Sequence, residues 1–171
     1  MTALLVAENC NLSDTVTFSQ TAVSNLESGA VTLQVKAGDT FTVKDCLYGL
    51  LLKSANEVAN GLAEHVSGSV SAFADLMNAK AKELGCKNTH FANPHGLHEE
   101  DHYTTAHDLY LIAKEAMTDV TFRDIVSTVQ HRMAKTNLHE ERIIYTTNQL
   151  IFSSFQPWSY ANCLGIKTGH T

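Results

Sequence analysis

The sequence predicts a single α+β domain, mainly helical, with a few short antiparallel strands. Apolar residues recur at helical spacing behind capping residues, and short stretches alternate apolar and polar residues. The length of 171 residues suits one ordinary domain, and no repeat, linker or low-complexity segment divides the chain.

The elements follow in order. Met1-Thr-Ala-Leu-Leu-Val-Ala-Glu8 reads as a helix with no Ser, Thr, Asp or Asn cap ahead of it. Residues 15–19 and 31–35 alternate and read as strands, and Gly38-Asp39 turns into another at residues 40–43. Thr42-Val-Lys-Asp45 is a capping box, its hydroxyl and carboxylate each serving a backbone amide of the first turn. The helix behind it places Leu47, Leu50, Leu51, Val58 and Leu62 on one side, with a break near Ser54-Ala-Asn56. Residues 69–84 form a further helix, with Phe73, Leu76, Met77 and Leu84 at helical spacing and Gly85 as its stop. Another starts at the capping box Thr105-Ala-His-Asp108 and carries Leu109, Ile112, Ala113, Ala116 and Met117 on one face. Thr121-Phe-Arg-Asp124 opens a short helix, and residues 129–135 and 142–147 are strands around the polar stretch 136–141. Gly165-Ile-Lys-Thr-Gly-His-Thr171 reads as a strand that stops as it begins. Both ends read as cuts in a longer protein.

Composition excludes several function classes. The 12 Lys+Arg against 18 Asp+Glu give a net charge of −6, without the basic face that phosphate binding needs, so no nucleic-acid partner is expected. The longest apolar run, around Gly49-Leu-Leu-Leu52, is far short of the ~20 residues that cross a bilayer. No basic-plus-apolar leader opens the chain. Cys10, Cys46, Cys86 and Cys163 form no C-x-x-C pair and read as buried thiols. His95, His98, His102 and His107 lie among Glu99, Glu100, Asp101 and Asp108, a spacing that superficially suits a metal. The stretch reads instead as a loop of solvated or hydrogen-bonded imidazoles, with no metal and no cofactor expected.

Two short motifs carry chemistry when read together: Ser54-Ala-Asn56 after an apolar run, and Lys167-Thr-Gly169 near the end of the sequence. In this order they resemble the second and third motifs of the penicillin-recognising serine enzymes, whose first motif is S-x-x-K. Tyr48-Gly-Leu-Leu-Leu-Lys-Ser-Ala-Asn-Glu-Val-Ala59, Met77-Asn-Ala-Lys-Ala-Lys-Glu-Leu-Gly85 and Asn88-Thr-His-Phe-Ala-Asn-Pro-His-Gly-Leu97 narrow the resemblance. The whole chain resembles the D-alanyl-D-alanine carboxypeptidases, the low-molecular-weight penicillin-binding proteins of the S11 serine peptidase family.

The resemblance implies a partial β-lactamase/transpeptidase-like domain over residues 1–171, and trimming of the terminal D-alanine from peptidoglycan stem peptides through an acyl-enzyme. It implies roles for individual residues too. Ser54 relays a proton between the nucleophile's lysine and the leaving amine, and Asn56 hydrogen-bonds the backbone of the incoming peptide. Lys167 supplies positive potential for the terminal carboxylate and helps keep the general-base lysine neutral. Thr168 meets that carboxylate with its hydroxyl, Gly169 leaves room for substrate along the strand, and the His170 amide is an oxyanion donor. Partners implied are a stem peptide ending in D-Ala-D-Ala and, for the intact parent, β-lactams. The family acts outside the cytoplasmic membrane, often tethered by a C-terminal amphipathic helix.

The sequence departs from the family in one respect. None of its twelve serines has a lysine three positions on, so the 171 residues hold no S-x-x-K. Met1 to Glu8 resembles the helix that continues from that motif, so the nucleophile and its lysine are expected just upstream, and the isolated chain is expected to be inactive. A class A β-lactamase fits less well, because Ala55 stands where those enzymes usually carry Asp and no loop with a deacylating glutamate is identifiable. The other alternative is a non-catalytic homologue that binds peptidoglycan peptides.

Overall fold

The computed structural model describes residues 1–24, 26–151 and 157–169. Helix α1 (Thr2–Asn9) buries Thr2 to Val6, and the Thr2 hydroxyl donates to the Pro94 carbonyl at 2.6 Å. Strand β1 (Thr15–Thr17) leads to the short helix α2 (Gln20–Val23), capped by Ser19, whose Oγ accepts from the Ala22 N–H at 2.9 Å. Strand β2 (Thr40–Thr42) pairs antiparallel with β1, setting Val16 opposite Phe41, both buried. Thr42 then caps helix α3 (Val43–Lys53), which ends at Ser54 in the left-handed conformation.

Helix α4 (Asn56–Ser67) restarts immediately and buries Asn56 to Ala63 without a break. It packs against α1, α2, α3 and β1 and forms the centre of the core. Its Gly61 lies directly under the Phe18 ring, a close approach that only the absence of a β-carbon allows. Helix α5 (Val70–Glu83) follows a Ser69 cap and stops at Gly85, at φ +82°. Helices α6 (Ala106–Ala116) and α7 (Val120–Val126) precede the antiparallel hairpin of β3 (Gln130–Met133) and β4 (Arg142–Tyr145), and a 3₁₀ turn at Gln149–Ile151 follows. The hairpin lies on α3 through Met133 and Ile144. Phe18, Phe73, Leu5, Leu47, Leu52 and Leu62 are wholly buried, each worth about 1.5–3 kcal/mol. Among the described residues no helix is long and apolar enough to cross a membrane.

The α+β expectation with few antiparallel strands matches this architecture, and several local expectations do not. Residues 31–35 are no strand: Asn56, Glu57 and Arg142 take up their backbone groups, and no strand among the described residues pairs with them. Residues 165–169 are not a strand either. Thr168 meets Thr147 through hydroxyls 2.6 Å apart, without the backbone ladder that defines a sheet. Both capping boxes are half-formed. Thr42 and Thr105 cap their helices, but Asp45 turns to His131, and Asp108 accepts from the Asn88 N–H at 2.7 Å and the Thr89 hydroxyl at 2.8 Å. The Asn88 bond is the chief reason the Asp108 carboxyl titrates below its ordinary range. Helix α7 is capped by Asp119, before the expected Thr121. Leu109 is exposed, so the stripe on α6 is narrower than its spacing suggests. Of the cysteines only Cys46 is buried; the other three are half-buried, and all four are free thiols.

Candidate active site

The break between α3 and α4 makes one side of the site. Ser54 stands at φ 62°, ψ 37°, its N–H bonded back to the Leu50 carbonyl at 3.1 Å and the next N–H, of Ala55, to Gly49 at 3.3 Å. A non-glycine residue held left-handed costs about 1–3 kcal/mol and persists where its surroundings fix it. Here the buried helices on both sides do so. The second side comes from residues 165–169. Gly165, at φ +129°, lies against Val126, where a β-carbon would meet Val126 Cβ at 3.0 Å.

Lys167 joins the two sides. Its Nζ donates to Ser54 Oγ and to the Thr168 carbonyl, each at 2.9 Å. Lys167 keeps an exposed surface, but the protein around its ammonium takes away part of its solvation and pushes its pKa below the ordinary value.

Ser54, Lys167, Thr168 and Gly169 line one cavity of about 570 Å³. Much of its lining is apolar, with Leu50, Leu51, Met77, Phe91, Ile112 and Phe122. No carboxylate lines it among the described residues. Chemically, the polar end offers an ammonium and two hydroxyls to an anion, beside an apolar wall.

Asn56 lies beside this cavity without lining it. It is 6% exposed, and its N–H and Nδ2 both donate to the Val31 carbonyl at 2.9 Å. His170 lies outside the described residues.

Two wall residues carry no expectation of a site role from sequence. His95 and His102 both line the cavity. The Nδ1 of His95 accepts from the Leu97 N–H at 3.1 Å, and that of His102 from the Ala92 N–H at 3.3 Å. An accepting Nδ1 places the proton of a neutral imidazole on Nε2, and burial lowers the pKa of both rings. The sequence reads this stretch as a loop of solvated or hydrogen-bonded imidazoles, and nothing in the spacing of the histidines marks two of them as cavity wall. His107, in contrast, is exposed, and no group of three or more metal-ligating side chains forms among the described residues.

The chain matches known proteins in sequence and in fold. The profile of the D-alanyl-D-alanine carboxypeptidase (S11 peptidase) family matches residues 1–171. The chain is 36% identical over its whole length to the D-alanyl-D-alanine carboxypeptidase DacF of Bacillus subtilis, spanning 43% of that protein. It is 36% identical, over 97% of its length, to the D-alanyl-D-alanine carboxypeptidase of Streptomyces strain K15, and spans 59% of it. The chain thus spans roughly half the length of these relatives. Among solved structures, the Streptomyces K15 DD-transpeptidase superposes with a TM-score of 0.85 at 31% identity, over 99% of this chain and 69% of that one. The D-alanyl-D-alanine carboxypeptidase of Mycobacterium tuberculosis H37Rv superposes with a TM-score of 0.84 at 31% identity, over 99% and 62%. The fold is therefore the transpeptidase-like α+β fold, and the chain belongs to the D-alanyl-D-alanine carboxypeptidase family of S11 serine peptidases.

Proposed function

We propose that this chain is an incomplete catalytic domain of a serine D-Ala-D-Ala carboxypeptidase acting on peptidoglycan stem peptides in the cell envelope. In this reading the terminal carboxylate of the stem peptide sits against Lys167 and Thr168, with Gly169 leaving room for its backbone. Ser54, hydrogen-bonded to Lys167, passes a proton toward the departing D-alanine amine, and Asn56 meets the peptide backbone. The His170 amide is assigned as one oxyanion donor, by its place beside Gly169 in the sequence alone.

The observation that carries this reading is the 2.9 Å contact from Lys167 to Ser54 in a cavity that no carboxylate lines among the described residues. An ammonium of reduced pKa beside two hydroxyls suits a carboxylate that must be held while a proton moves nearby.

The acyl-enzyme itself requires a nucleophilic serine with a lysine base, and the 171 residues contain no S-x-x-K. The chain by itself therefore binds the peptide without turning it over, and forms no stable adduct with penicillin. The test has two parts. A peptide ending in D-Ala-D-Ala, titrated into ¹⁵N-labelled chain, should shift the Ser54, Thr168 and Gly169 amides; the same peptide ending in an amide should not. Labelling with a fluorescent penicillin should leave the protein unmodified. No shifts would overturn the site, and a stable adduct would overturn the inactivity.

A further inference from the structure

Residues 31–35 are held by side chains. Glu57 Oε1 accepts from the N–H groups of Leu33 at 2.5 Å and Val35 at 3.4 Å. Arg142 Nη1 donates to the Leu33 carbonyl at 2.6 Å, reaching across from the start of β4. Leu33 is thus gripped from both its backbone groups, and its side chain seats on Gly49 of α3, where a β-carbon would stand 2.6 Å from Leu33 Cδ1. Gln34, between the two residues held by Glu57, is forced to φ 59°. That strain is sustained because its neighbours are pinned.

The grip is expensive. Glu57 is 1% exposed, and its Oε2 has no hydrogen-bond partner among the described residues. Arg142 Nε and Nη2 are likewise buried and unpartnered among them. Burying such groups without partners is costly, and apolar residues of similar volume usually fill the space at least as stably. Stability alone is therefore a poor reason for this pair, and its reach suggests another. The loop it holds ends at Val31, whose carbonyl accepts both the N–H and the Nδ2 of Asn56.

We infer that Glu57 and Arg142 are positioning residues for Asn56: by clamping Leu33 they fix the Val31 carbonyl that orients the Asn56 carboxamide. Val31 offers only an acceptor there, so the amide nitrogen must face it and Oδ1 must point the other way. A carboxamide left to rotate would present either atom; one tied at Nδ2 presents an acceptor to an incoming N–H. The functional value of this orientation rests on the proposed role of Asn56 with substrate. The orientation itself does not.

The experiment is amide exchange by NMR on the full chain, following the Asn56 side-chain amide together with the Leu33 and Val35 backbone amides. In the wild-type protein these should exchange through one shared opening, with equal dependence on denaturant. Arg142→Ala and Glu57→Ala should each speed exchange of the Asn56 amide about tenfold to a hundredfold. Glu57→Gln keeps an acceptor and should restore it to within about threefold of wild type. Protection of Asn56 that persists while Leu33 and Val35 open overturns the inference, and this reading holds even where an alanine variant does not fold. A folded Arg142→Ala protein with unchanged Asn56 exchange also overturns it. Titration with the D-Ala-D-Ala peptide separates the two readings: linked exchange without any peptide-induced shift leaves the clamp standing and removes the substrate role.

Discussion

Lys167 Nζ donates to Ser54 Oγ at 2.9 Å, joining residues 113 positions apart. The bond closes the cavity's polar end from two sides and fixes where positive charge lies in it. Because partial loss of solvation is what lowers the Lys167 pKa, its charge is lost at lower pH than that of a fully solvated lysine.

The first prediction concerns that charge. Lys167→Ala should weaken binding of a D-Ala-D-Ala peptide by about tenfold or more, the usual worth of a charge-assisted hydrogen bond. In the wild-type protein, affinity should fall as pH rises toward the lowered pKa, while the variant shows no such fall. Calorimetric titration between neutral and alkaline pH checks both. Equal affinities at neutral pH would remove Lys167 from carboxylate recognition.

The second concerns the tie between α3 and the hairpin. His131 Nε2 donates to Asp45 Oδ1 at 2.6 Å, and its ring stacks on Tyr48 with centroids 3.6 Å apart and planes 4° from parallel. Both partners are largely buried, so removing one strands the other. His131→Ala should cost about 1–3 kcal/mol in urea unfolding. His131→Phe keeps the stack but strands Asp45, so it should recover only the smaller share, about 0.5–1.5 kcal/mol. Full recovery by phenylalanine would show that the bond to Asp45 contributes nothing.

The third follows from Glu57, whose carboxyl is pushed above its ordinary 4.5, chiefly by burial and against the lowering effect of its backbone hydrogen bonds. Folding then favours the protonated acid. Its contribution to stability is fully present below the unfolded value and is lost as pH rises through the raised one. Asp108 works in the opposite sense, its stabilisation being present above its ordinary 3.8 and lost as pH falls through its lowered value. Subtracting the Glu57→Gln stability curve from that of wild type isolates the first effect. The difference should move against wild type as pH rises from about 4.5 toward neutrality. A flat difference would mean that Glu57 is solvated like an exposed carboxylate.

What could be read from sequence follows from how local each signal is. The caps at Thr42 and Thr105 and the break at Ser54 depend on residues a few positions apart, and all three stand where spacing puts them. The stretch at residues 31–35 alternates like a strand, but its partners are side chains from α4 and β4, which periodicity cannot represent. Asp45 and Asp108 sit at capping-box positions, yet His131 in the one case and Asn88 and Thr89 in the other offer the carboxylate a better bond than its own helix does. In the site, Ser54 and Lys167 were legible as members of motifs. The contribution of Thr147, which meets Thr168 from two residues beyond β4, carries no sequence signal at all.

The last prediction tests the packing under that clamp. Gly61 is interior to α4, where alanine is ordinarily favoured by about 1 kcal/mol. A β-carbon there would press into the Phe18 ring, which is fully buried and stands edge-on to Phe41 with centroids 5.8 Å apart. Overpacking of this kind costs about 1–3 kcal/mol and should outweigh the propensity gain, so Gly61→Ala should destabilise. Phe18 presses on Phe41, and the Arg142 guanidinium lies 5.6 Å from the centroid of that second ring. The substitution should therefore also loosen the grip of Arg142 on Leu33. Phe18→Leu removes the ring that alanine would strike, so the two changes together should cost less than their sum by about 1 kcal/mol or more. Strict additivity in a denaturant double-mutant cycle would show that α4 shifts to make room for the methyl group, and that Phe18 does not transmit the strain.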